Sequence, residues 1–145
     1  MPPYHAVLID RVHFLRWNGE VTLEGLQGFM ADARVAAKRP SERLSIVMIV
    51  DTSAQPARPE VRTQLPASAR ALLEMYEKLF VVIAGDSITS KLRRSLARGI
   101  IVALGMHGRL VLVASVDEAL AAIPGLTRSA SAIKDAARAG GVLLS

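Results

Sequence analysis

Two aspartates are the polar residues best placed for chemistry in this sequence. Asp51 directly follows the apolar run Leu44–Val50, and Asp86 lies just beyond the apolar run Phe80–Ala84. Nearly continuous apolar runs of this length are typical of strands covered on both faces, and open parallel sheets bind ligands at the carboxyl ends of such strands. Two carboxylates at that edge would hold a magnesium ion or accept a phosphoryl group.

The competing interpretation gives both acids local roles. Asp51 would form a turn and Asp86 would cap the next helix, with Ser87 as the alternative cap. The pattern of a phosphate receiver is poorly met, because the first strand ends in one acid, Asp10, which Arg11 follows at once.

No catalytic constellation accompanies these acids. The histidines, His5, His13 and His107, lack metal-binding spacing, and the sequence has no cysteine, no Gly-x-Ser-x-Gly elbow and no phosphate-binding glycine loop. We therefore predict a protein that is not an enzyme and that holds neither a metal ion nor a cofactor.

The length and the charge of the chain indicate its domain number and the type of partner it favours. A chain of 145 residues, of which 51% are hydrophobic, suits a single domain with a substantial core. The net charge of +5 favours acidic partners. The densest basic segment, Lys91–Arg98, has no interleaved aromatic residues to stack on bases, so nucleic acid is not favoured. No secretory signal or membrane span is visible, and a cytoplasmic location fits best.

Hydrophobic periodicity predicts an α/β protein with the order β-β-α-β-α-β-α-β-α and a further C-terminal helix. The first two strands, Tyr4–Asp10 and Val12–Trp17, should form a hairpin beside a mainly parallel sheet covered by helices. Predicted helices cover Leu23–Lys38, Pro59–Lys78, Ser87–Leu104, Ser115–Ile123 and Ser129–Ala139. The core of the domain should span residues 4–123, and residues 124–145 should form the last helix and an apolar tail.

Two of these helices carry further expectations. Pro66 either begins the second helix or kinks it, because proline removes an amide donor. The third helix should turn its apolar side inward and its basic residues outward. The inward set is Leu92, Leu96, Ile100 and Ala103, and the outward set is Lys91, Arg93, Arg94 and Arg98.

Two segments carry a family resemblance. They are Ser45-Ile-Val-Met-Ile-Val-Asp-Thr-Ser53 and Val113-Ala-Ser-Val-Asp-Glu-Ala-Leu120. Together with the element order, they resemble the STAS domains, the sulfate-transporter and anti-sigma-factor-antagonist family. The resemblance covers residues 4–123. It implies a non-catalytic regulatory module that binds a partner, often a switch kinase or another STAS domain, near the start of the second helix.

The sequence departs from the family where phosphorylated members carry Asp-Ser-Ser-Gly. Here the corresponding segment is Asp51–Glu60, which is longer and contains prolines and an arginine. Ser53 and Thr63 are the remaining candidates for phosphorylation, a modification that would add negative charge at the helix start. The alternative for Ser53 is a hydrogen bond to nearby turn amides.

We therefore predict a partner-binding site on the loop and the start of the second helix, formed by Ser53, Arg58, Arg62 and Thr63. Arginine side chains beside a helix N-terminus suit an acidic or phosphorylated protein surface. One alternative is a signalling domain that binds a small molecule, or phosphoryl groups and magnesium, at Asp51 and Asp86. Another is a structural subunit that self-associates through a sheet edge or through the apolar tail Val142–Leu144.

Overall fold

Strands and helices alternate along the chain. A computed structural model describes residues 4–17, 19–39, 42–50, 57–85, 87–105 and 108–144. Within them the strands are β1 (Tyr4–Ile9), β2 (Val12–Trp17), β3 (Ser45–Val50), β4 (Leu79–Ile83) and β5 (Leu110–Val113). The helices are α1 (Leu23–Lys38), α2 (Pro59–Met75), α3 (Ile88–Leu104), α4 (Val116–Ala121) and α5 (Ala130–Ala139).

The strands form one sheet in the order β1-β2-β3-β4-β5. β1 and β2 are antiparallel, and every later neighbouring pair is parallel. Each strand after β2 therefore pairs with the strand before it in the chain. The connections between these parallel strands all move in the same direction across the sheet, so right-handed crossovers place α1, α2 and α3 on one face. The predicted α/β class and mainly parallel sheet are confirmed.

Strand alternation divides the core into two clusters, because successive side chains point to opposite faces of a sheet. Ile46 and Leu79 belong to a cluster with residues of α1 and α2, which we call the α1–α3 face. Their neighbours Val47 and Phe80 belong to a cluster with residues of α4 and α5, the α4–α5 face. The parallel strands are thus flanked by helices on both sides, as their apolar sequences predict.

Hydroxyl side chains begin four of the helices. The side chains of Thr22, Ser87, Ser115 and Ser129 each accept a hydrogen bond from the amide three residues later, at 3.0 to 3.2 Å. Such caps satisfy an amide that the helix itself leaves unpaired. Ser87, the alternative to Asp86, therefore caps α3, and residue 86 lies outside the described residues.

α2 begins at Pro59 and contains Pro66 in its interior. The alternative in which the helix begins at Pro66 is therefore wrong. Proline is well tolerated at a first helical position, and Val61, only 2% exposed, attaches the first turn to the core. Pro66 cannot donate to the carbonyl of Arg62, its usual partner four residues earlier.

The C-terminal helix and tail pack on the α4–α5 face. Ile133, Ala137 and Val142 are fully buried there. The carbonyl of Gly141 accepts a hydrogen bond from Nε of Arg16 at 2.9 Å. Val142 therefore ties the tail to the domain, which leaves the exposed Leu144 as the residue of that tail best placed for self-association.

Candidate functional site

An apolar cleft of about 520 Å³ lies on the α1–α3 face, between the sheet and the helices α2 and α3. We call it the α2–α3 cleft. Its floor includes Met48 of β3, Val81 of β4 and Leu112 of β5, none of which a helix covers fully. The floor follows β4 from Leu79 to Ile83, a length of roughly 13 Å at the usual rise of a strand.

The cleft exists because the middle of α3 does not reach the sheet. Leu92 and Leu96 point into the cleft, yet they are 65% and 43% exposed. The C-terminal part of α3 does contact the core, through Ile100, Ile101 and Leu104. Between that contact and its first turn, α3 forms a wall of the cleft rather than a lid on the sheet.

Hydrogen bonds hold the start of α3. The hydroxyl of Ser90 donates to the carbonyl of Ala84 at 3.0 Å. Arg94 Nη1 donates to the carbonyls of Gly85 and Ile83 at 2.8 and 3.3 Å. These carbonyls end β4 or follow it, so α3 is attached to the sheet edge by polar contacts. Ser90 is also the one buried residue of the helix.

The cleft is positive at one end. Arg62 and Arg93 are the charged residues that line it, and Ser68 and Thr89 contribute hydroxyl groups. No acidic side chain belongs to the lining that the structure describes. α2 and α3 each follow a parallel strand and start at the carboxyl edge of the sheet, so both arginines, in the first two turns of their helices, lie toward that edge.

Trp17 gives the cleft an optical reporter. It is the single tryptophan of the sequence, it lines the cleft and it is 5% exposed. Its ring packs edge-on against Tyr4, with centroids 5.3 Å apart. A molecule that enters the cleft would therefore change the surroundings of the only indole.

The predicted partner-binding residues are divided by the structure. Arg62 lines the cleft, whereas Arg58 and Thr63 do not belong to its lining. Arg58 is exposed and forms an ion pair with Glu20. The hydroxyl of Thr63 donates to the carbonyl of Pro59 at 2.9 Å on the exposed surface of α2. Ser53, the fourth predicted partner residue, lies outside the described residues.

Asp51 and Asp86, the predicted ligand pair, also lie outside the described residues. A magnesium or phosphoryl site at these acids therefore stays a prediction. Ser87, which follows Asp86, uses its hydroxyl to cap α3 and to contact the hydroxyl of Ser90 at 3.0 Å. Over the residues that the structure covers, no group of three or more histidine, aspartate or glutamate side chains is arranged to hold a metal ion.

The expected orientation of α3 needs two corrections. Of the four basic residues predicted to face outward, Lys91 and Arg98 are exposed, but Arg94 binds carbonyls at the end of β4 and Arg93 lines the cleft. Ala103, predicted to face inward, is exposed. Arginine has a long apolar stem, so it can lie beside an apolar stripe and still place its guanidinium at a polar edge.

Sequence reasoning missed the cleft. Met48, Val81 and Leu112 belong to runs that predict strands covered on both faces, and nothing in such a run marks a stretch that a helix leaves open. The one available signal was Arg93, which directly follows Leu92 of the apolar stripe.

Comparisons with known proteins add no assignment. The sequence matches no protein-family model, and no curated protein is significantly similar to it. No helix within the described ranges is both long enough and apolar enough to cross a bilayer. The function is therefore inferred from the geometry of the cleft.

Proposed function

We propose that the chain is a non-catalytic binding module of STAS-like architecture, and that it takes up a small molecule with an apolar body in the α2–α3 cleft. The order of elements from the opening hairpin to α4 supports the STAS-like assignment. The observation that carries the proposed function is the cleft of about 520 Å³ itself. Ligand pockets of proteins are mostly apolar concavities of about 300–1,000 Å³ with a few polar groups.

The free energy for binding would come from apolar surface that the fold leaves in contact with water. Leu92 and Leu96 on the wall face Val81 and Leu112 on the floor. Fully burying one such side chain is worth about 1.5–3 kcal/mol. Part of this gain is offset by the lost freedom of the ligand, so the cleft suits a small molecule that covers several of these side chains at once.

The chemistry of the lining supports binding rather than catalysis. Its described polar side chains are arginines and hydroxyl groups. General acid–base catalysis needs a group that titrates near the working pH, most often histidine or a carboxylate, and a nucleophilic hydroxyl needs such a base beside it. Within its described lining, the cleft contains no such group.

The proposed function is tested by titrating the protein with dodecanol and following the emission of Trp17 and the melting temperature. We expect the emission to shift and the melting temperature to rise, because a ligand that binds only the folded state stabilises it. Ala97→Phe places a ring in the cleft and should weaken binding about tenfold or more. Ala103→Phe, on an exposed site of the same helix, is the matched control.

Two results would contradict this function. One is an emission and a melting temperature that stay constant up to the solubility limit of dodecanol. The other is equal binding by the Ala97→Phe and Ala103→Phe variants, since a ligand in the cleft must compete with a side chain that occupies it.

The start of α2 supports a second candidate, the docking of an acidic or phosphorylated protein partner. Arg58, Arg62 and Thr63 are exposed there, in the first turns of one helix. Reversing the charge of Arg58 and Arg62 together should abolish capture of such a partner and lower the melting temperature only slightly, through the lost surface ion pair of Arg58 with Glu20. Reversal of Lys91 and Arg98, which are exposed on α3, is the control. Unchanged capture by the first double variant would exclude this surface.

A further inference from the structure

We infer that the ligand of the α2–α3 cleft is an anionic amphiphile, a single alkyl chain that ends in a carboxylate. Its head group would be held at Arg62, and its chain would lie over Val81 and Leu112. This inference rests on the proposed function, because it requires that the cleft binds an apolar molecule at all.

The charges of the cleft select the sign of the head group. Arg62 contributes positive charge to the described lining, and no described lining residue is acidic. An arginine guanidinium can donate two parallel hydrogen bonds to a carboxylate, which gives orientation as well as attraction. An alkylammonium head group would instead be repelled. The net charge of +5 acts in the same direction over a longer range.

The positions of the helices select the end at which the head group lies. α2 and α3 both begin at the carboxyl edge of the sheet, so the positive ends of their backbone dipoles lie on the side of Arg62. The far end of the cleft is formed by apolar residues, among them Leu79, Ile100 and Leu110. The cleft is therefore amphipathic along its length, and a molecule with one charged end and one apolar end matches it.

The dimensions of the cleft suit a single chain. The floor is roughly 13 Å long at the rise of a strand. The cleft volume of about 520 Å³ lies within the range of about 300–1,000 Å³ that is usual for small-molecule pockets. An extended alkyl chain along this floor would cover Val81 and Leu112 together.

The test compares three probes that share one chain length: dodecanoate, dodecanol and dodecyltrimethylammonium, all below their micelle concentrations. Binding is measured by calorimetry and by the emission of Trp17. We expect dodecanoate to bind about tenfold or more tightly than dodecanol, since a hydrogen bond to a charged group is worth at least that factor. The alkylammonium probe should bind most weakly.

Two variants locate the head group. Arg62→Gln removes the guanidinium that lines the cleft and should reduce the affinity for dodecanoate to that for dodecanol, with the affinity for dodecanol unchanged. Arg58→Gln is the matched control, because Arg58 is an exposed arginine at the start of the same helix but is paired with Glu20 and does not line the cleft. Arg58→Gln should bind all three probes as the unmodified protein does.

The outcomes separate this inference from the function beneath it. Equal affinities for dodecanoate and dodecanol, or equal effects of Arg62→Gln and Arg58→Gln, would overturn the inference and leave the proposed function standing. Failure of all three probes to bind would overturn both.

A concentration-dependent dimer that excludes dodecanoate would show that a second copy covers the cleft. Binding only to phosphatidylglycerol vesicles, weakened equally by both variants, would show a surface contact with a membrane. Either of these results would also overturn the inference.

Discussion

The imidazole Nδ1 of His13 lies 2.8 Å from the phenol oxygen of Tyr76 in the core. The phenol donates its one hydrogen to the carbonyl of Ala33 at 3.0 Å, so Nδ1 is the donor in its contact with Tyr76. Both side chains are buried, with 5% of His13 and none of Tyr76 exposed. The chain of hydrogen bonds therefore connects β2, the end of α2 and α1 without any charge.

The buried contact predicts that stability depends on the protonation of His13. Burial lowers the pKa of His13 below its ordinary value of 6.5, and the charge of Asp32 opposes this only in part. The unfolded chain therefore binds a proton at a higher pH than the folded protein does. The stabilising contribution of neutral His13 is complete above about pH 6.5 and is lost as the pH falls below that value.

We expect the midpoint of urea unfolding to fall between about pH 7.5 and about pH 5.5, across the ordinary pKa of histidine. His13→Gln should be less stable at the higher pH and should lose much of this pH dependence. His5→Gln is the control, because His5 is only partly buried and should keep the dependence. A His13→Gln variant with the same slope as the unmodified protein would contradict the prediction.

Asp10 connects the β1–β2 hairpin to the loop before α5. Its carboxylate accepts hydrogen bonds from the amides of Thr127 and Arg128 at 2.7 and 3.0 Å. Its partial burial acts to raise the pKa of Asp10, but the two backbone hydrogen bonds outweigh this effect and hold the pKa below 3.8. The stabilisation by Asp10 is therefore present above about pH 3.8 and is lost as the pH falls through the lower, folded-state pKa.

Two substitutions distinguish the contribution of the Asp10 carboxylate to stability from that of its backbone conformation, which has a positive φ of 56°. Asp10→Ala should lower the free energy of unfolding by about 1 kcal/mol through the lost hydrogen bonds, because it keeps a Cβ in the same conformation. Asp10→Gly should be more stable than Asp10→Ala by about 1 kcal/mol, because it also removes that strained Cβ. Asp135→Ala, which removes an exposed ion pair with Arg138, should change the free energy by less than about 0.5 kcal/mol. Equal stabilities of the Gly and Ala variants would show that φ is not strained.

Arg94 holds the first turns of α3, so its removal should loosen that end of the helix. We expect Arg94→Gln to reduce the protection of amides 91–97 from hydrogen exchange about tenfold, the effect of losing about 1.4 kcal/mol locally. Arg98→Gln, at an exposed site of the same helix, should leave the protection unchanged. A uniform loss of protection over the whole chain would indicate global destabilisation instead.

A pair of glycine substitutions should have opposite effects on stability. Gly99 lies in α3, and a methyl group on its Cα would meet no atom within 4 Å beyond the backbone of its own helix. Gly99→Ala should therefore stabilise the protein by about 0.5–1 kcal/mol. A methyl group at Gly140 would lie 3.1 Å from Cγ1 of Val7, so Gly140→Ala should destabilise it by about 1 kcal/mol.

The cost of Gly140→Ala is assigned to the contact with Val7 by a double-mutant cycle. In the Val7→Gly background Cβ and both methyl groups of Val7, which lie 3.1 to 3.4 Å from the added methyl group, are absent, and Gly140→Ala should cost clearly less. The measurement is the urea midpoint of each variant. An identical cost in both backgrounds would show that the contact with Val7 is not the cause.

Local features of this fold could be predicted because they depend on neighbours in the chain. Thr22 and Ser115 cap the helices that follow them, and each bond joins residues three apart. Gly105 ends α3 with a φ of 62°, a conformation that glycine adopts without strain. Likewise, the apolar runs around Ile46 and Phe80 indicate strands covered on both faces.

Contacts between distant residues could not be predicted in the same way. His13 and Tyr76 are 63 residues apart, and Asp10 and Thr127 are 117 apart, so no local pattern relates them. The start of α2 also depends on tertiary contacts. The local preferences around Pro66 do not decide whether the helix begins there or earlier, and burial of Val61 in the core stabilises the turn before it.

The sequence by itself determined the α/β class, the order of the elements and the side of α3 that carries Leu92 and Leu96, because periodicity is a property of consecutive residues. Only the tertiary structure decided how far that side lies from the sheet. The distance depends on the polar attachment of Arg94 at one end of α3 and on the packing of Ile100 at the other. Apolar residues at helical spacing indicate which side of a helix faces the core. The α2–α3 cleft exists because that side of α3 and the sheet do not come into contact along the middle of the helix.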